Sequence, residues 1–155
     1  MNLTLHFQYR VSNTALFPPE PLFQQWVETA CSRFASETQE HIEIGIVIVD
    51  PKHSAALNKQ YRDKPNETNV LSFNYALPNA PRFPLVGDLV FCYDTVLSEA
   101  KQQDKSVQAH WAHLTIHGVL HLLGFDHIED QEAQLMENTE VEILASLGYN
   151  NPYTY

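Results

Sequence analysis

Leu3, Leu5, Phe7 and Tyr9 alternate with Thr4, His6 and Gln8, the two-residue period of a strand with one buried face. The period then changes. Leu22, Phe23, Trp26, Val27, Ala30 and Phe34 recur at helical spacing, which predicts a helix entered through Pro18, Pro19 and Pro21. Residues 41–50, HIEIGIVIVD, are rich in β-branched side chains and apolar on both faces in their second half, the pattern of a buried central strand. A short helix is expected over 51–62, with Pro51 at its start and Ala55, Ala56, Leu57 and Tyr61 inside it. Residues 63–67, containing Pro65, read as a loop, and 68–75 (TNVLSFNY) return to strand character. Pro78, Pro81 and Pro84 mark 76–86 as an excursion, after which 87–93 (GDLVFCY) form another strand. Asp94 is placed to cap a helix over about 95–103, and Ser106 to cap one running to Leu123 and stopping at Gly124. A last helix, entered through Asp130 and closed by Gly148, covers about 130–147.

Strands and helices do not alternate strictly, so the expected class is α+β, a small mixed β-sheet of about four strands packed with about five helices. A chain of 155 residues has the length of one domain, 1–155, and 44% hydrophobic residues exclude disorder as its main state. No apolar run approaches the roughly 18 residues of a membrane span, and MNLTLHFQYR lacks the pattern of a signal peptide. Cys31 and Cys92 are too few for a disulfide framework and fall on an amphipathic helix and a strand. Buried thiols in a reducing cytoplasm are the expectation.

Charge alters this picture. The net charge is −10, so an anionic partner must be met by a local patch rather than by the overall field. No Lys or Arg follows residue 105, whereas Lys52, Lys59, Arg62 and Lys64 crowd one short segment. Eight histidines are many for this length, and five lie between 110 and 127.

Within that cluster His117 and His121 are i and i+4 on the central predicted helix, one above the other on the same face. Two imidazoles so placed can take two corners of a tetrahedral zinc site. Gly124 can end the helix in a left-handed conformation and reverse the chain, which lets His127 supply a third nitrogen. Three neutral ligands leave the fourth position to water, the layout of a catalytic zinc at the end of the central helix. The spacing His-x3-His-x2-Gly-x2-His equals that of the metzincin proteases, but their general-base glutamate is replaced by Gly118, which argues against peptidase chemistry. His113 is a candidate partner behind the ligands, His110 reads as an ordinary helix residue, and Asp126 either orients a ligand or caps the turn. Met136 reads as core, as do Trp26 and Trp111.

The second unusual stretch is NKQYRDKPNETNVLSF, 58–73. Arg62 can contact a phosphate bidentately, and Lys59 and Lys64 can add non-specific attraction; the alternative is a solvated helix end whose cations favour the C-terminal pole of the dipole.

HGVLHLLGFDH, with LNKQYRDKPNETNVLSF and GDLVFCYD, resembles the YbeY family of bacterial metal-dependent endoribonucleases over most of the chain. The resemblance implies single-strand RNA cleavage in ribosomal RNA processing, especially 3′-end maturation of the small-subunit RNA, and a part in ribosome quality control. It implies one zinc held by His117, His121 and His127, Arg62 as the basic residue important for activity, and a ribosomal particle or ribosome-associated protein as partner. The family usually reads Thr-Asp-Val-Leu-Ser-Phe where this chain has Asn69 in place of the Asp.

The expected mechanism is phosphodiester hydrolysis, with zinc polarising a phosphoryl oxygen or supplying hydroxide from its bound water, and Arg62 balancing charge in the transition state. No residue is an evident general base. The alternatives are a zinc hydrolase of amide or ester bonds and a non-catalytic ribosome-assembly factor.

Overall fold

β1 (Asn2–Tyr9), α1 (Glu20–Ser32), β2 (His41–Val49), α2 (Pro51–Arg62), β3 (Val70–Asn74), β4 (Leu85–Cys92), α3 (Tyr93–Gln102), α4 (Val107–Leu122) and α5 (Asp130–Ser146) follow one another along the chain. The structure is a computed structural model that describes residues 2–35, 40–62, 69–76, 80–125 and 129–153, without the side chains of Tyr61 and Arg62. The strand order is β1-β2-β4-β3. β1 runs parallel to β2, with Asn2 opposite His41, and β2 runs parallel to β4, with Ile42 opposite Leu85. β3 is antiparallel to β4, Val70 facing Phe91, which makes the sheet mixed. The predicted class and element types hold.

The two periods in β2 explain its central place. Ile42, Ile44, Ile46 and Ile48 are fully buried in the main core with Phe23 and Trp26 of α1 and Trp111 and Ile116 of α4. Val49, on the opposite face, joins Leu71 and Val90 in a smaller cluster, with Val47, Leu57 and Phe73 packed against it. Trp26 and Trp111 are core side chains, and Met136 is buried with them. Cys31 and Cys92 are buried free thiols, and burial pushes the Cys31 thiol up to about 12. Among the described residues no helix is long and apolar enough to cross a membrane.

Boundaries differ from expectation where backbone bonding overrides side-chain signals. β4 begins at Leu85 rather than 87, because Leu85 and Val86 pair with Ile42 and Glu43. The excursion therefore ends at Pro84, which has no N–H for a ladder. Asp94 does not cap α3. The chain passes from β4 straight into that helix, its N-cap is Cys92 without a side-chain bond, and Asp94 lies in the first turn, where its charge suits the positive pole of the dipole. Ser106 does cap α4, its hydroxyl accepting from the Ala109 N–H at 3.0 Å. α1 stops at Ser32, and Phe34 belongs to the turn beyond it, where its ring meets Phe125 at 5.2 Å.

Candidate metal centre

α4 is enclosed by the sheet, α1, α3 and α5, and its burial pattern isolates one stripe. From His110 to Leu123 every residue is buried except 113, 117 and 121, and all three are histidines. The i, i+4, i+8 spacing puts them on one line along the helix. Neighbouring rings stand edge-on, 6.3 Å apart for His113 and His117 and 4.9 Å for His117 and His121.

Behind this stripe stands a carboxylate that the sequence reading did not single out. Glu140 of α5 is fully buried and bonds His117 Nδ1 through Oε1. Its Oε2 accepts from the Tyr153 hydroxyl and lies 3.2 Å from His113 Nε2, which is also 3.2 Å from that hydroxyl. Burial works to raise the Glu140 carboxyl, but the bonds from His113 and His117 outweigh it and hold the group at about 2. At neutral pH the carboxylate is therefore an acceptor only, and the proton of a neutral His117 ring sits on Nδ1. That leaves the Nε2 lone pair, the state a metal ligand requires. Burial, opposed by Glu140, lowers the His113 pKa. His113 thus bears on the carboxylate behind His117. A signal for Glu140 existed in the sequence: Met136, Thr139, Glu140, Ile143 and Leu144 form the buried stripe of α5, where a lone carboxylate requires partners.

The end of α4 is fixed on all its last carbonyls. Gly124, at φ +103°, closes the helix with its N–H on the His121 carbonyl at 3.0 Å and the Phe125 N–H on the Leu120 carbonyl at 3.0 Å, a Schellman arrangement. Asn74 Nδ2 donates to the Leu122 carbonyl at 2.7 Å and Arg82 Nε to the Leu123 carbonyl at 3.0 Å. Arg82 reaches there from the proline-containing excursion, its guanidinium over the rings of Phe34 and Phe125 at 5.0 and 5.4 Å. His121 is thereby carried on an immobilised turn, and the left-handed helix end expected at Gly124 is present, while His127 lies beyond the described residues.

Gly118 has a steric cause. A Cβ there would stand 2.8 Å from Leu89 Cδ2 and 3.4 Å from Ser72 Oγ, whose hydroxyl bonds the Gly118 carbonyl at 3.3 Å. α4 lies against β3 and β4 at this point, so position 118 faces Leu89 and Ser72 of the sheet rather than the histidine stripe.

Other predicted residues fall as follows. His110 is buried and bonds Glu99 at 2.9 Å; Glu99 also accepts from Asn69 Nδ2 at 3.2 and 3.4 Å. Asn69 Oδ1 meanwhile accepts from the Val70 N–H at 2.7 Å, so this side chain joins the start of β3 to α3. Lys59 is exposed on α2. Arg62 closes that helix, but its side chain, together with Lys64, Asp126 and His127, lies outside the described residues. Among the described residues no three His, Cys, Asp or Glu side chains gather as a metal-holding group. The donor set nonetheless suits zinc: two imidazoles at i and i+4, one with its tautomer fixed by a buried carboxylate, on a helix that ends at Gly124.

Comparison with known proteins agrees with the motifs. The chain is 48% identical over 136 residues to Endoribonuclease YbeY of Colwellia psychrerythraea, covering 88% of each protein. The solution structure of the Thermotoga maritima protein TM1509 shares its fold, with a TM-score of 0.57 at 19% identity, covering 98% of this chain and 97% of that one. The model of the family described as Endoribonuclease YbeY matches residues 9–148, and the chain belongs to that family.

Proposed function

We propose that this protein is a zinc-dependent endoribonuclease that cleaves single-stranded RNA during ribosomal RNA processing in the cytoplasm, including 3′-end maturation of the small-subunit RNA and ribosome quality control. The observation that carries this reading is the partly exposed histidine stripe on the otherwise buried stretch of α4 from His110 to Leu123, backed by the Glu140 carboxylate. Family membership supplies the activity: the relative from Colwellia psychrerythraea is named an endoribonuclease.

His117, His121 and His127 would hold one zinc ion per chain. Zinc at such a site supplies Lewis-acid polarisation of a phosphoryl oxygen and activates a water or the RNA 2′-hydroxyl for attack. Glu140 holds the His117 ring with its unprotonated nitrogen outward. Arg62 contacts the phosphate and balances charge in the transition state, with Lys59 and Lys64 drawing the RNA backbone in. The net charge of −10 gives poor general affinity for RNA, so the substrate is presented by a ribosomal particle or a ribosome-associated protein.

Elemental analysis and RNA cleavage on the same samples test this. Wild type should carry one zinc per chain and cut single-stranded RNA, and His121→Ala should lose both. Arg62→Ala should keep the metal and lose about a hundredfold or more in cleavage rate. Wild type without metal, or full cleavage by His121→Ala, overturns the proposal.

A further inference from the structure

The segment that follows α5 does more than end a helix. Gly148, at φ +90°, turns the chain, with its N–H on the Ala145 carbonyl at 3.1 Å and the Tyr149 N–H on the Leu144 carbonyl at 2.9 Å. Beyond it the segment runs back along α4 and is fastened at successive points. Gln108 Nε2 donates to the Tyr149 hydroxyl at 2.9 Å, and Lys105 Nζ donates to the Pro152 carbonyl at 3.0 Å. Asn151 Oδ1 then accepts from the Tyr153 N–H at 2.8 Å, a local turn that aims the Tyr153 ring inward. The ring stands edge-on to His113 with centroids 5.3 Å apart, and its hydroxyl reaches Glu140 Oε2.

The hydrogen-bond inventory gives this hydroxyl a definite task. Glu140 is a carboxyl group without solvent exposure, and such a group needs hydrogen-bond partners around both oxygens to stay in place. His117 Nδ1–H occupies Oε1. Tyr153 O–H occupies Oε2, and because that hydroxyl has one proton, His113 Nε2 must itself carry a hydrogen to meet either oxygen. His113 Nδ1 is then the unprotonated nitrogen, consistent with its being buried without a partner among the described residues.

We infer that Tyr153 is a positioning residue for the metal centre: its hydroxyl fixes the Glu140 carboxylate, and through it the direction of His117 Nε2. The inference rests on the zinc reading above. It makes the segment after α5 part of the site, although no residue in it is a ligand.

The test is Tyr153→Phe, which removes the hydroxyl and keeps the ring against His113. Zinc affinity is read by competition with a chromophoric chelator, and the metal-free protein is melted alongside. The control Tyr149→Phe loosens the same segment without touching Glu140. Expected is about tenfold weaker zinc binding in Tyr153→Phe, in the range for groups behind a ligand, with the Tyr149→Phe affinity unchanged and a lower metal-free melting temperature in Tyr153→Phe as buried Glu140 loses a donor. A cobalt-substituted sample should show shifted visible absorption bands in Tyr153→Phe only. Unchanged or tighter binding by Tyr153→Phe overturns the inference, as does equal weakening in Tyr149→Phe or a cobalt spectrum of Tyr153→Phe identical to that of wild type. If wild type binds no zinc, the metal reading fails first, which separates the two failures.

Discussion

His110 and His117 stand two turns apart on α4 and each meets a glutamate, yet the pairs are built in opposite senses. The His110 side chain is 3% exposed and its partner Glu99 28%; His117 is 25% exposed and Glu140 0%. In the first pair the ring is sealed in and the acid is the group that touches water, which suits a strut between α3 and α4. In the second the acid is sealed in and the ring faces out, which suits a ligand held from behind. The same residue types on one helix thus divide into structure and chemistry by which partner is buried.

The strongest way to break this contrast is to remove the buried acid. Glu140→Ala leaves His113, His117 and Tyr153 without their common acceptor and opens a cavity. A loss of about 3 kcal/mol in denaturant unfolding is expected. Zinc affinity should fall by at least the ten- to hundredfold typical of such supporting groups. Retained affinity would show that His117 needs no orienting partner.

The two histidines should then part company. His110→Ala is expected to cost about 2 kcal/mol, from a lost buried ring and a Glu99 stripped of its main partner, and to leave zinc binding untouched. His117→Ala should abolish zinc binding at a smaller cost in stability, since water can reach the vacated, partly exposed position. Paired unfolding curves and metal titrations decide it; weakened zinc binding in His110→Ala would join the two pairs into one network.

How far each pair could be read beforehand follows the same division. The ligand candidates were legible because i, i+4 spacing and a helix-ending glycine are local facts, as were the Ser106 cap and the buried double-faced β2. Glu140 and Tyr153 were not, because they come from α5 and the segment after it, and only the packing of α5 against α4 brings them to His117. Gly118 was legible as a missing base, but its setting, a helix face laid on Leu89 and Ser72 of the sheet, is tertiary. Arg82 was hidden in a stretch whose prolines announced only irregular chain, and its partner is a carbonyl, which leaves no mark in sequence.

Acid separates the pairs less sharply. Burial works to raise the Glu99 carboxyl, but bonds from His110 and Asn69 outweigh it and hold the group below its ordinary value of 4.5. A carboxyl lowered on folding contributes stability above its unfolded value, and that contribution fades as pH falls through the folded value. Stability should therefore drop as pH falls below about 4.5. Glu99→Gln should flatten part of that decline when unfolding free energy is followed against pH. An unaltered acid limb would remove Glu99 from the stability of the α3–α4 contact.

The smallest expected effect tests where the boundary between the pairs lies. Asn69 gives Glu99 two weak N–H contacts and keeps its own oxygen on the Val70 N–H. Asn69→Asp, which restores the residue usual at this place in the family, keeps that cap on β3 but turns the amide donor into a second anion facing Glu99. Loss of the donor and the like-charge contact should cost about 1 kcal/mol and raise the Glu99 carboxyl. Zinc affinity and RNA cleavage should not change, because Asn69 acts on the strut. An increase in either would mean that the carboxylate the family keeps here serves the metal centre, and the division between a sealed-histidine pair and a sealed-acid pair would have to be redrawn with Glu99 on the catalytic side.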